Sequence, residues 1–160
     1  MTDATAIHAE TPALVIGGTQ GLGLAIAERL IAQGCRNLVI ASRSVERGEA
    51  EAARIGATFM AVDLLDTEAT VALVDKAAEA MGRVDALVNS AALTDRGTVL
   101  DTTPELWDML MTANCRSPYF ALQRVAQRAV EGGFPASILN ILSMVVHGGQ
   151  SFLSPYSASK

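Results

Sequence analysis

Tyr156 and Lys160 stand four residues apart, so on a helix they share one face. The chain holds two Tyr and two Lys against ten Arg, so this pairing is hard to obtain by chance. Lys also has a use that Arg fulfils poorly: a compact charge on a flexible stem with rotatable donors. A free phenol titrates at about 10, too high for a base at neutral pH. A cation beside it favours the phenolate. The pair therefore has the makings of a general acid or base. Ser143, at the end of an apolar run, could hydrogen-bond an oxygen on which charge develops. His147, in Val145-Val146-His147-Gly148-Gly149, falls in the loop that follows, either lining such a site or facing solvent.

A second cluster lies near the start of the chain, at Gly17-Gly18-Thr19-Gln20-Gly21-Leu22-Gly23. It follows a short apolar run and opens a helical pattern. Glycine there lets the backbone turn sharply and approach a pyrophosphate, and a helix N-terminus supplies free N–H groups and a positive dipole end. The spacing Gly-x3-Gly-x-Gly differs from the Gly-x-Gly-x-x-Gly fingerprint. Alone it would be as well explained by an ordinary strand–helix turn.

The elements that must position these residues are legible from periodicity. Apolar runs at 13–17, 38–41, 58–62, 85–89 and 137–142 read as strands. Helical patterns cover 22–33, 45–55, 67–81 and 103–130, and a last helix begins near Pro155. Gly34, Gly56 and Gly82 close the first three helices, where a helix end favours glycine. Thr103 caps the fourth with Pro104 at its first position, and Pro118 predicts a break or kink near 114–117. Leu106, Leu110 and Leu122 form a second apolar stripe on this long segment. Strand–helix alternation predicts βαβ units with right-handed crossovers. The fold expected is a doubly wound, Rossmann-like α/β parallel sheet of order 3-2-1-4-5, which binds ligand where the order reverses. Residues 1–11 read as a tail and 12–160 as a single dinucleotide-binding and catalytic domain.

Composition agrees with strands buried on both faces: half of the 160 residues are apolar and only 4% are aromatic. A net charge of −5 and the lack of a basic stripe exclude nucleic acid as the expected partner. Cys35 and Cys115 are too far apart for a metal or redox motif, so no metal is expected. No apolar stretch reaches membrane-spanning length, and residues 1–11 lack the charge and apolar run of a signal peptide. The chain reads as a cytoplasmic protein without a membrane partner.

Taken together, these motifs resemble the short-chain dehydrogenase/reductase family over 13–160. Gly17, Gly21 and Gly23 take the glycine positions of its Thr-Gly-x3-Gly-x-Gly loop, with Ile16 in place of Thr. Thr19, Gln20 and Leu22 would then lie against the cofactor as well. Asp63 and Leu64 resemble the pair beside the adenine, and Asn89-Ser90-Ala91-Ala92 resembles Asn-Asn-Ala-Gly, with Asn89 and Ala91 matching. Ser143 precedes Tyr156 by thirteen residues, the family spacing of its catalytic Ser and Tyr. The resemblance makes Ser143, Tyr156, Lys160 and Asn114 the catalytic residues. Lys160 would also bond the nicotinamide ribose, and Asn114 would hold a proton-relaying water. Ser42 stands where NAD-preferring members carry an acidic residue, and Arg43 can pair bidentately with a phosphate. NADP is therefore favoured over NAD.

The activity implied is interconversion of a carbonyl and an alcohol, with a small molecule as substrate and a homodimer or homotetramer as the assembly. Family members continue well past this point, so the resemblance also makes the domain one cut short at its C-terminus. The competing reading is a short chain that binds a nucleotide or a partner without turnover.

Overall fold

The structure, a computed structural model, describes residues 9–160, so the expected tail lies outside the described residues as far as residue 8. Five strands, β1 (Ala13–Ile16), β2 (Leu38–Ser42), β3 (Thr58–Ala61), β4 (Ala86–Asn89) and β5 (Ser137–Asn140), form one parallel sheet of order β3-β2-β1-β4-β5. Val15 faces Ile40 on one side and Val88 on the other, which fixes the register of the central three strands. Every residue of β1 is buried, as a central strand covered on both faces must be.

The two-residue alternation of side chains divides the core in two. Leu14, Ile16, Val39, Ala41 and Leu87 point to one face, where α3 (Thr67–Met81) and α5 (Ser117–Gly132) cover them. Ala13, Val15, Leu38, Ile40 and Val88 point to the other, under α1 (Gly21–Ala32) and α2 (Val45–Ile55). The caps agree with this plan. Asp66 accepts the N–H of Ala69 at 2.8 Å to start α3, and Thr103 accepts that of Leu106 at 3.2 Å to start α4 (Pro104–Met111). On the outside of the α3–α5 pair, Asp75 receives Arg124 and Arg128, both at 2.8 Å. Cys35 is buried and Cys115 exposed, both as free thiols. Among the described residues no helix is long and apolar enough to cross a membrane.

The structure makes three expectations more specific. The break or kink expected near 114–117 is a π-helical turn, Thr112–Arg116, that joins α4 to α5, with the Ser117 N–H reaching back to Thr112 O. Pro118 explains it: the ring lacks the N–H that would bond Asn114 O and clashes with that carbonyl, and a wider turn relieves both. The second apolar stripe is largely internal, because Leu110 is fully buried and Leu122 packs on the core. Finally, β5 stops at Asn140 instead of Leu142. It lies at the sheet edge, where Ile138 packs on the core but Leu139 remains 50% exposed. The chain then turns through a short 3-10 segment, Met144–Val146, into α6 (Ser154–Ser159).

Candidate active site

The sheet order reverses between β1 and β4, and a cleft of about 710 Å³ opens at their carboxyl ends. Its floor is the glycine loop. Gly17 has φ +84°, and a Cβ there would stand 2.4 Å from the Ala91 backbone nitrogen. A Cβ at Gly23 would stand 2.1 Å from the Gly17 carbonyl oxygen. Only glycine permits these approaches. The strand that passes so close is held by N–H bonds from Ser90 and Ala91 to Ile16 O, at 2.9 and 3.0 Å. Thr19 is buried, and with Gln20, Gly21 and Leu22 it lines the cleft. No side chain caps the start of α1, so its first N–H groups are free for an anion.

The walls carry the other sequence-predicted binding residues. Ser42, Arg43, Asp63, Leu64 and Ala91 all line the cleft. The Ser42 hydroxyl is buried and has no hydrogen-bond partner, a polar group left for a ligand to satisfy. Asp63 accepts the N–H of Leu65 at 3.0 Å, which fixes its carboxylate on the wall. Asn89 is placed differently from its neighbours: it is buried and donates to Asn140 Oδ1 at 2.6 Å, bracing β4 against β5 behind the wall. Arg47 also lines the cleft, its guanidinium hydrogen-bonded to Gln20 Oε1. Sequence reasoning did not single it out, although it stands four residues after Arg43 in the first turn of α2, where both can face the same rim. Glycines where a backbone must pass, an uncapped helix start, an orphaned hydroxyl and two guanidinium groups together fit a dinucleotide.

Of the residues expected to do chemistry, Lys160 and Asn114 reach the cleft wall directly, through its lining residues Ile141 and Leu93. Lys160 donates to Ile141 O at 2.8 Å, and Ile141 is itself part of the cleft wall. Burial pushes the Lys160 ammonium below its usual pKa. Tyr156 lies one turn earlier on α6, half-buried. Ser143 follows Ile141 by two residues, and its hydroxyl accepts from Val145 N at 3.5 Å, a long bond that leaves the oxygen able to turn to another partner. Asn114 sits in the π-helical turn. Its Oδ1 accepts Leu93 N and its Nδ2 donates to Leu93 O, both at 2.8 Å, and Leu93 is another residue of the wall. His147 is exposed, away from these contacts. The short helix α6 is anchored from below: Gly97 N bonds Phe152 O and Ser154 N bonds Gly97 O, both at 3.0 Å, and Pro155 is fully buried.

A doubly wound sheet with this loop and this Ser, Tyr and Lys constellation defines a nucleotide-binding class. The particular family follows from comparison: a short chain dehydrogenase family model matches residues 11–160, and the chain belongs to that family. It is 37% identical over 152 residues to the NADP-dependent (R)-specific alcohol dehydrogenase of Lentilactobacillus kefiri, covering 92% of this chain and 60% of that protein. It is 35% identical over 148 residues to carbonyl reductase [NADPH] 2 of Sus scrofa, covering 92% of this chain and 59% of that protein. A solved short chain dehydrogenase from Burkholderia cenocepacia J2315 in complex with NADP matches with a TM-score of 0.86 at 32% identity, covering 96% of this chain and 64% of that one. The chain thus spans about 60% of the length of the curated relatives it matches.

Proposed function

We propose that residues 12–160 form the dinucleotide-binding and catalytic part of an NADP-dependent oxidoreductase that interconverts a carbonyl and an alcohol. One observation carries the reading. Lys160, one turn after Tyr156, is hydrogen-bonded to Ile141 on the wall of the glycine-loop cleft, two residues before Ser143. This contact supports a reading in which a proton-transfer group, a cation and a hydroxyl stand at the rim of a dinucleotide site. The two curated relatives described above, an alcohol dehydrogenase and a carbonyl reductase, support the same class of reaction.

In this reading Gly17, Thr19, Gln20, Gly21, Leu22 and Gly23 hold the pyrophosphate against the start of α1. Asp63 and Leu64 flank the adenine, Ser42 and Arg43 receive the ribose 2′-phosphate, and Ala91, with Asn89 bracing it from behind, shapes the wall beside the nicotinamide. When bound, the nicotinamide supplies or accepts the hydride at the reacting carbon. Tyr156 gives a proton to the carbonyl oxygen in reduction and takes it back in oxidation. Ser143 turns its hydroxyl to the same oxygen as charge grows on it. Lys160 has three donors and spends one on Ile141, so two remain for the nicotinamide ribose and for favouring the Tyr156 phenolate. Asn114 fixes Leu93 on the wall and supports the path by which protons leave.

The test is NADPH oxidation by the full-length protein over a panel of ketones and aldehydes, beside its Tyr156→Phe variant. The variant keeps the ring and removes the titrating oxygen, so turnover should fall at least a hundredfold, roughly the share of general acid catalysis, while NADPH still binds. A variant within a few-fold of its parent would refute the mechanism. The expected assembly is a homodimer or homotetramer, now argued from Trp107, Tyr119 and Val130, the large apolar residues that α4 and α5 expose. Light scattering of the full-length protein at micromolar concentration should give twice or four times the chain mass, and a monomer would refute it.

A further inference from the structure

We propose that Ser159 is a positioning residue for Tyr156 and Lys160, tying the turn that carries them to Asn114 and through it to the cofactor cleft; this rests on the reading of Tyr156 and Lys160 above. Ser159 is 5% exposed, and its hydroxyl is engaged twice. It receives Asn114 Nδ2 at 2.9 Å and reaches Tyr156 O at 2.8 Å.

The direction of each bond is fixed by elimination. Leu93 pairs with Asn114 through its own N–H and C=O, so Asn114 Oδ1 must accept from the first and Nδ2 must donate to the second. The remaining proton of Nδ2 goes to Ser159 Oγ, which is therefore an acceptor there. A hydroxyl has one proton, and that of Ser159 is free to go to the Tyr156 carbonyl.

The consequence is mechanical. The turn that carries Tyr156 is set by a chain of directed bonds running from the cleft wall at Leu93, through Asn114 in the π-helical turn, through Ser159, to the backbone of Tyr156. Lys160 is pinned from the other side by Ile141 O, at 2.8 Å. The same polar chain that shapes the wall therefore sets where the phenol and the ammonium stand relative to a bound nicotinamide. Ser159 touches neither substrate nor cofactor and acts only through its neighbours.

The experiment uses the full-length protein and four variants: Ser159→Ala, Ser159→Thr, Asn114→Ala and the double variant Ser159→Ala with Asn114→Ala. Ser159→Ala should lower kcat about tenfold or more, the cost of letting reacting groups drift by a fraction of an ångström, and leave the NADPH Kd and the carbonyl KM within roughly threefold. Ser159→Thr keeps the oxygen and should recover most of kcat. The double variant should be no slower than Asn114→Ala alone, because both residues belong to one chain of bonds. A parental kcat in Ser159→Ala, alongside a collapsed Tyr156→Phe, would overturn the role of Ser159 and leave the mechanism standing. Equal losses in kcat, KM and NADPH affinity without recovery by Thr would reduce Ser159 to a folding residue and also overturn it. If Tyr156→Phe itself retained the parental rate, the reading of Tyr156 would fail and this inference with it.

Discussion

At the rim of the cleft, Ser42 leaves a buried hydroxyl without a partner beside two guanidinium groups, Arg43 and Arg47. A carboxylate at the Ser42 position would repel a 2′-phosphate; a hydroxyl can donate to one. Arg43 is exposed and in no ion pair among the described residues, so pairing with phosphate costs it no existing partner. Its replacement by Ala should weaken NADPH about tenfold or more and barely change NADH, the usual effect of losing a charge-assisted pair. Fluorescence titration at one salt concentration measures both. Tighter binding of NADH than NADPH by the parent would reverse the assignment. The place of Arg43 on the cleft was legible in the sequence because it directly follows a strand that ends there. Arg47 and Ser159 were not, because each acquires its meaning from a contact with Gln20 or Asn114, residues distant in the chain. Asn89 was identified from a motif, but only the cross-strand bond to Asn140 shows that its side chain braces the sheet.

Between the elements, the π-helical turn and the α3–α5 contact do the positioning. The helices at 45–55 and 67–81 were readable to the residue, because capping residues and glycines mark their ends. The widened turn was not, since Pro118 announces a disturbance without saying whether the helix breaks or swells. From within that widened turn Asn114 meets both backbone groups of Leu93. The α3–α5 pair is clamped by one carboxylate between two arginines, Asp75 with Arg124 and Arg128. Burial pushes the Asp75 carboxyl up, but the two guanidinium groups outweigh it and hold its pKa below the ordinary value. The depressed folded value means that the stabilisation is present at neutral pH and is lost as pH falls through that value. Asp75→Asn should therefore cost about 1 kcal/mol at pH 7, the scale of two partly exposed ion pairs. The gap between the melting curves of parent and variant should close in acid. A constant gap across that range would mean that the side chain acts by packing alone.

On the scale of the whole molecule, the sheet is well covered at its centre and open at one side. Alternation and handedness leave few topologies, and among them the order β3-β2-β1-β4-β5 is the one expected and found. The degree of burial of each residue is harder to read from sequence, because it depends on neighbours in space. The apolar run of β5 has the composition of a central strand and the position of an edge. Leu139 is 50% exposed, Leu142 57% and Met144 79%, while among the described residues no strand lies beside the outer backbone edge of β5. An open, apolar strand edge is a template for another chain. A polypeptide consisting of these 160 residues should therefore self-associate through β5. Ile138 packs on the α3–α5 side of the sheet, so Leu139, its neighbour in a two-residue alternation, points to the opposite face and can be changed without opening that core. A charge there opposes edge pairing, so Leu139→Lys should shift the 160-residue polypeptide toward smaller species and keep its cooperative melt. Light scattering over a concentration series, with circular dichroism on the same samples, reads both. If the parent polypeptide stayed monomeric across the series, or if Leu139→Lys left its association unchanged, the β5 edge would not be the contact surface.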